Sequence, residues 1–366
     1  MAGQSKPDTA AEPGWSLRHY HALAALFAAY AVGMFAKGTM SLAIFGMGKD
    51  AALGFSTADV STLLANGSLA YTAGKLVGGP VSDMLGGRGT LVSMLALMGG
   101  AKLAMSRASS VSAMTAGWAV ARGAHALTWM GVMLVARPWF LGNGLNTALP
   151  LLTASSRVGA FVGSLFGGAL MASTGRNGGW RSLSRITGAV TLACAAAMLT
   201  LSNKPPGKEA AAASAGTAAE PEPTAPKMAM GKALRIGFTN PKLLLVYAST
   251  ALVTPTFDLT TLLPMYLDTL GMGAGQIGTL GSLFPVAAVP AVLIAGALHQ
   301  KLSSKQRQFL YAPLLGVSTA GMLLLSSLRT ASPIIGPTLM LIMVRFQDLS
   351  FFGTHIRNGH IWAPSG

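Results

Sequence analysis

The feature that most constrains this chain is a succession of apolar runs separated by short polar breaks. A membrane-spanning helix needs roughly 20 mostly apolar residues. Runs of about that length extend from Tyr20 to Ile44, Val60 to Val81, Thr90 to Met105, Val111 to Val135, Leu145 to Ser173 and Ser182 to Leu201. Four more follow a polar break: Leu243 to Leu267, Gln276 to Leu298, Phe309 to Leu328 and Ile334 to Phe352. Only 10% of the residues are charged against 51% that are hydrophobic, too few to coat a water-soluble domain. The prediction is an all-α polytopic membrane protein whose solvent is the lipid bilayer, with about ten transmembrane helices in a six-plus-four arrangement.

The polar segments divide the chain further. Residues 1–19 read as a cytoplasmic tail, because Asp8 and Glu12 argue against a transit peptide and the run that follows is too long for a signal-peptide core. Residues 20–202 form the six-helix bundle, and residues 203–241, rich in Ala, Pro, Glu and Lys, read as a flexible cytoplasmic linker. Residues 242–353 form a bundle of about four helices, and 354–366 a second tail. Secondary transporters are commonly built from two matched halves. The second half therefore reads as incomplete, its two missing helices absent or supplied by a partner chain. Lys204, Lys208, Lys227, Lys232, Arg235 and Lys242 cluster in and beside the linker, and Lys301, Lys305 and Arg307 follow the eighth run. That bias places the N-terminus in the cytoplasm.

Composition excludes several functions. The net charge of +15 is dispersed between apolar runs, with no basic stripe or stacking platform for nucleic acid. The lone cysteine, Cys194, cannot build a disulfide framework or a Cys-rich metal site. No H-E-x-x-H or G-x-S-x-G motif signals an enzyme, and no cofactor is expected.

A charge at the bilayer centre costs at least about 2.5–3.5 kcal/mol on insertion scales, so it persists facing other helices or a water-filled cavity. Lys37, Lys75, Arg122, Arg157, Asp258, Arg345 and Asp348 meet that description, and their basic excess favours an anionic solute. Lys37 either touches substrate or braces its helix. Tyr71 and Lys75 share one helix face, as do Arg122, His125 and Trp129, and each face lines a polar cavity or packs against a neighbour. Asp258, between Pro255 and Pro264, is a proton site or a counter-charge to a lysine. Arg345 and Asp348 are spaced to neutralise each other. Gly159, Gly163 and Gly167 recur every fourth residue, which lets a neighbouring backbone approach closely.

The stretch from Gly67 to Arg88 resembles the second helix and following loop of major facilitator transporters. The resemblance implies that Asp83 and Arg88 belong to a gating motif whose charges cap helices and lock one conformation. Met84 stands where that motif usually has arginine. Ser68, Tyr71 and Lys75 before Ser82-Asp83 look more narrowly like the organophosphate:phosphate antiporters, the glycerol-3-phosphate and hexose-phosphate carriers. Lys37 falls where that family places a substrate-binding arginine. Trp129 with Trp139-Phe140 resembles its fourth helix, and the stretch from Asn240 to Leu267 its seventh. Thr256 replaces the family's second phosphate-binding arginine, and Gln300 the aspartate of the second-half motif. Lysine at position 37 also exchanges a bidentate fork for a point charge.

The sequence thus predicts a secondary transporter that moves a small organic anion by alternating access. Lys37, Tyr71, Lys75, Trp129 and Arg157 are its substrate-binding candidates and Asp258 its proton-coupling candidate. A sugar or drug carrier is the alternative within the fold. A non-transporting remnant or regulatory subunit is the alternative outside it.

Overall fold

A computed structural model describes residues 15–140, 143–174, 179–201, 239–241, 244, 261–301 and 304–344. Its described secondary structure is helical: α1 (Leu17–Gly48), α2 (Thr57–Arg107), α3 (Val111–Trp139), α4 (Asn143–Thr174), α5 (Gly179–Met198), α6 (Ala274–Lys301), α7 (Ser304–Ser327) and α8 (Ile335–Val344). Residues 261–269 form a further helical stretch. Of these, α1, α2, α3 and Thr147–Thr174 within α4 are long and apolar enough to cross a membrane. Asp258, Arg345 and Asp348, and the linker between residues 203 and 238, lie outside the described residues.

Polar residues set the helix starts. Ser56 accepts from the Asp59 N–H while its own N–H and hydroxyl donate to the Asp59 carboxylate at 2.9 and 2.6 Å, a reciprocal cap that opens α2. The Ser56 hydroxyl, and after it the Ser56 N–H, hold the Asp59 carboxyl below its ordinary range. Ser110 caps α3 from one side only, its hydroxyl accepting from the Ala113 N–H.

α2 is two spans joined at a bend rather than one rod. Gly86 carries φ 68° and ψ 171°, a backbone conformation nearly restricted to glycine. The break falls between the two apolar runs ending near Val81 and beginning near Thr90, so the helical signal continues through what the sequence marks as a loop. Arg88, just past the bend, donates from Nη1 to the Leu199 and Leu201 carbonyls, each at 3.2 Å, and so covers the end of α5.

The first half packs α2 against α3 and α5, with α1 between α4 and α5. α1 lies on the glycine face of α4, where a β-carbon on Gly163 would stand 3.1 Å from the Phe35 carbonyl oxygen. In the second half α8 packs between α6 and α7. Tyr266 donates its hydroxyl to the Leu325 carbonyl at 2.5 Å, tying the 261–269 stretch to the end of α7. The principal contact between the halves among the described residues is α4 against α6, where the backbones of Gly168 and Gly278 meet.

The bundle has two ends: a tail end, where α1 begins, and a loop end, where α1 finishes. At the loop end Asp50 accepts from Ala52 N–H at 3.1 Å and from Trp180 Nε1 at 3.0 Å, which fastens the turn after α1 to the start of α5. Beside it Lys49 pairs with Asp268 at 2.5 Å, joining the first half to the second.

Candidate functional site

Between the halves, α1, α4, residues 261–264 and α6 enclose a cavity of about 80 Å³. A buried water needs roughly 10–15 Å³ by the same measure, so this space holds several waters or a small solute. Met34, Lys37, Gly38, Ser41 and Leu42 of α1 and Arg157, Ala160 and Ser164 of α4 line its first-half side. Those positions follow from helical spacing: 34, 37, 38, 41 and 42 form one stripe along α1, and 157, 160 and 164, three and four apart, one along α4. The second-half side is Thr261, Leu263 and Pro264 with Ile277, Gly278, Gly281, Phe284 and Pro285.

The two cations among the described lining residues are Lys37 and Arg157, both half-buried. Arg157 makes no ion pair among the described residues, and its Nε is buried without a hydrogen-bond partner. Tyr30 lies within electrostatic reach of that guanidinium. Trp129 packs on Tyr30, ring centres 4.9 Å apart, and neither is among the described lining residues of the cavity.

Tyr71 and Lys75 belong to a second group, away from the cavity lining. The Lys75 ammonium stands 5.4 Å from the Tyr71 ring centre, and the Arg122 guanidinium 4.7 Å from it on this cluster's other helix. His125 is 6.2 Å from the same ring. The shared face of Arg122, His125 and Trp129 is therefore divided: the first two meet Tyr71, the third meets Tyr30. His125 is still within electrostatic reach of Lys37 as well as of Arg122 and Lys75, so both groups contribute to one positive interior.

The sequence reading omits Lys102, which is 1% exposed. Its ammonium lies 3.3 Å from Met40 Sδ and 5.3 Å from the Trp118 ring centre, and Arg122 stands 5.6 Å from that ring on its own account. It lies within the apolar run from Thr90 to Met105 but close to its end, where a lysine ordinarily reaches water, so position does not single it out as it does Lys37. Ser41, Ser164, Thr261 and the apolar second-half wall also escape sequence reasoning, since nothing in their residue types separates them from packing or lipid-facing positions. Asp83 is exposed at the tail end of α2, near the Arg88 bend. Among the described residues no cluster of His, Cys, Asp or Glu could hold a metal.

Comparison with known proteins places this architecture. The chain resembles a bacterial homologue of the human lysosomal transporter Spinster in an inward-facing, unoccupied conformation, with TM-score 0.64 and 15% identity over 92% of this chain and 74% of that one. It resembles the nucleoside transporter NupG with TM-score 0.68 and 11% identity, covering 92% and 82% of the two chains. The inward-open xylose transporter XylE from E. coli gives TM-score 0.59 and 12% identity over 90% and 80%. At these identities the likeness is one of fold. No curated protein matches the chain. The family model described as Major Facilitator Superfamily matches residues 23–354. The chain belongs to the Major Facilitator Superfamily, and is a polytopic membrane transporter rather than an enzyme.

Proposed function

We propose that this chain is a secondary transporter for a small organic anion, bound in the cavity between its halves and released by alternating access. The observation that carries the reading is the pair Lys37 and Arg157 in the wall of that cavity, with no acidic side chain among its described lining residues. Arg157 gives the stronger half of the argument, because a guanidinium with no ion pair among the described residues, set in a largely apolar wall, calls for an anionic ligand to repay its desolvation. Lys75 and Arg122, gathered around Tyr71 and His125, stand behind this site as a source of positive potential, which draws an anion inward and repels cations. Trp129 holds Tyr30, and through it the setting of Arg157. Asp258 is the proton-coupling candidate, with exchange against a second anion as the other driving force.

The lysine bias between residues 204 and 242 supports a cytoplasmic tail end. On that orientation the Lys49–Asp268 pair and the Gly168–Gly278 contact close the external side, an arrangement that agrees with the inward-facing likenesses. Arg88 on the α5 carbonyls, with Asp83 beside the bend, fits a gating role at the cytoplasmic side.

Uptake by the reconstituted full chain tests the reading, using labelled glycerol 3-phosphate, hexose phosphate, short monocarboxylates and inorganic phosphate. Each charged hydrogen bond is worth about 1.5–3 kcal/mol, so Lys37→Ala and Arg157→Ala are each expected to weaken the transported anion roughly 10- to 150-fold. Uptake of a neutral sugar in preference to every anion, or anion uptake indifferent to both substitutions, would overturn it.

A further inference from the structure

The cavity has two unlike walls. Among the described lining residues, both cations and two of the three hydroxyl side chains, those of Ser41 and Ser164, come from α1 and α4. The opposite wall, among the described residues, offers the Thr261 hydroxyl and otherwise Leu263, Pro264, Ile277, Phe284 and Pro285, whereas on the first side the polar groups alternate with Met34, Leu42 and Ala160. Ile277 and Phe284 are each 1% exposed, so this wall is part of the packed core of the second half. A ligand whose head meets Lys37 and Arg157 must place its remaining atoms against that apolar surface. Hydroxyl groups facing it would give up their hydrogen bonds to water for few replacements, whereas methylene groups would gain from the same burial.

We infer that the transported anion is amphipathic, a short-chain organic acid or phosphate monoester whose charged head binds the first half and whose hydrocarbon body binds the second. This rests on the anion-carrier reading and narrows it away from polyhydroxylated sugar phosphates. It also gives the two halves distinct tasks: α1 and α4 read charge, while residues 261–264 and α6 read hydrophobicity. Alternating access then requires both halves to close on one ligand, which a charged head without an apolar body engages on one side only.

Glycerol 3-phosphate and propyl phosphate separate these classes cleanly, because they share the head group and carbon count and differ in two hydroxyls. Affinity is measured by calorimetry on the full chain in nanodiscs, extended to butyl and pentyl phosphate, with heats from empty nanodiscs subtracted. Propyl phosphate is expected to bind at least tenfold more tightly than glycerol 3-phosphate. Each further carbon should tighten binding about fourfold until the cavity is full. Ile277→Thr and Phe284→Tyr, which each place a hydroxyl in this wall and are checked for retained helicity, are expected to flatten that slope. Arg157→Gln is expected to weaken the whole series in parallel. Equal or tighter binding of glycerol 3-phosphate, or a slope untouched by both wall substitutions, overturns the amphipathic ligand while leaving an anion carrier. Absence of binding by every probe, or a series indifferent to Arg157→Gln, overturns the anion site itself and this inference with it.

Discussion

Lys102 is buried in the second limb of α2 with a thioether and an indole ring as its near neighbours. Neither replaces the hydration that a primary ammonium gives up, and no carboxylate among the described residues pairs with it. Lys102→Met keeps an unbranched side chain one atom shorter and removes the polar end. The melting midpoint of the purified protein is expected to rise, by the equivalent of ~1 kcal/mol, as when other buried charges give way to apolar residues. A fall would show that the ammonium itself is needed. Residue type and position expose Lys37 and Arg157 in the sequence because both interrupt the middle of an apolar run. Lys102 stands near the end of its run, where a lysine ordinarily reaches water along its own stem, and only tertiary packing turns it inward. The division of Tyr71 from Lys37 is hidden for a related reason. Periodicity says which side chains share a face, but not which face the rest of the fold covers.

At the level of elements, the loop end is held by adjacent residues with different tasks. Asp50 fixes the turn after α1 through Trp180 Nε1, and this leaves Lys49 positioned to cross to Asp268. Both side chains of that ion pair are partly exposed, 36% and 27%, so solvent screening limits it to about 0.2–1 kcal/mol. Lys49→Ala is therefore expected to shift the balance between loop-end-closed and loop-end-open forms by roughly 1.5- to 5-fold. The measurement is the labelling rate of a cysteine introduced by Ser164→Cys in a Cys194→Ala background, with an impermeant reagent applied from the loop-end side. Labelling should quicken with Lys49→Ala and slow again when Lys49→Asp is combined with Asp268→Lys. It should also quicken with salt in the parent alone. No change in rate would remove the pair from the closure. The elements themselves are legible in the sequence because apolar run length decides them, and the Gly86 bend is legible as a glycine-rich break. The pairing of Lys49 with Asp268 is not, since two loop charges distant in sequence carry no local signal of each other.

For the whole molecule, the decisive contact is the one that no charge marks. Gly168 and Gly278 bring the backbones of α4 and α6 together beside the cavity, and a β-carbon added to either would meet main-chain atoms of the other. Backbone cannot yield as a side-chain tip does, so Gly278→Val must separate the halves at this point. The cost of overlap falls only on the form in which this contact is made. States of an alternating-access protein differ by a few kcal/mol, and a bias of about 5.5 kcal/mol carries such an equilibrium from 1:99 to 99:1. Gly278→Val is therefore expected to abolish uptake while the protein stays inserted and helical. Spin labels on α4 and α6 at the loop end should report a longer separation, and labelling of the Ser164→Cys reporter from that side should approach its maximum. The larger effect here than at Lys49 follows from physics rather than position: an exposed ion pair can be replaced by water, whereas interpenetrating backbones have no substitute. Unchanged uptake with an unchanged spin-label distance would mean that α4 and α6 slide without parting, and that the cavity opens by a motion other than separation of the halves at this contact.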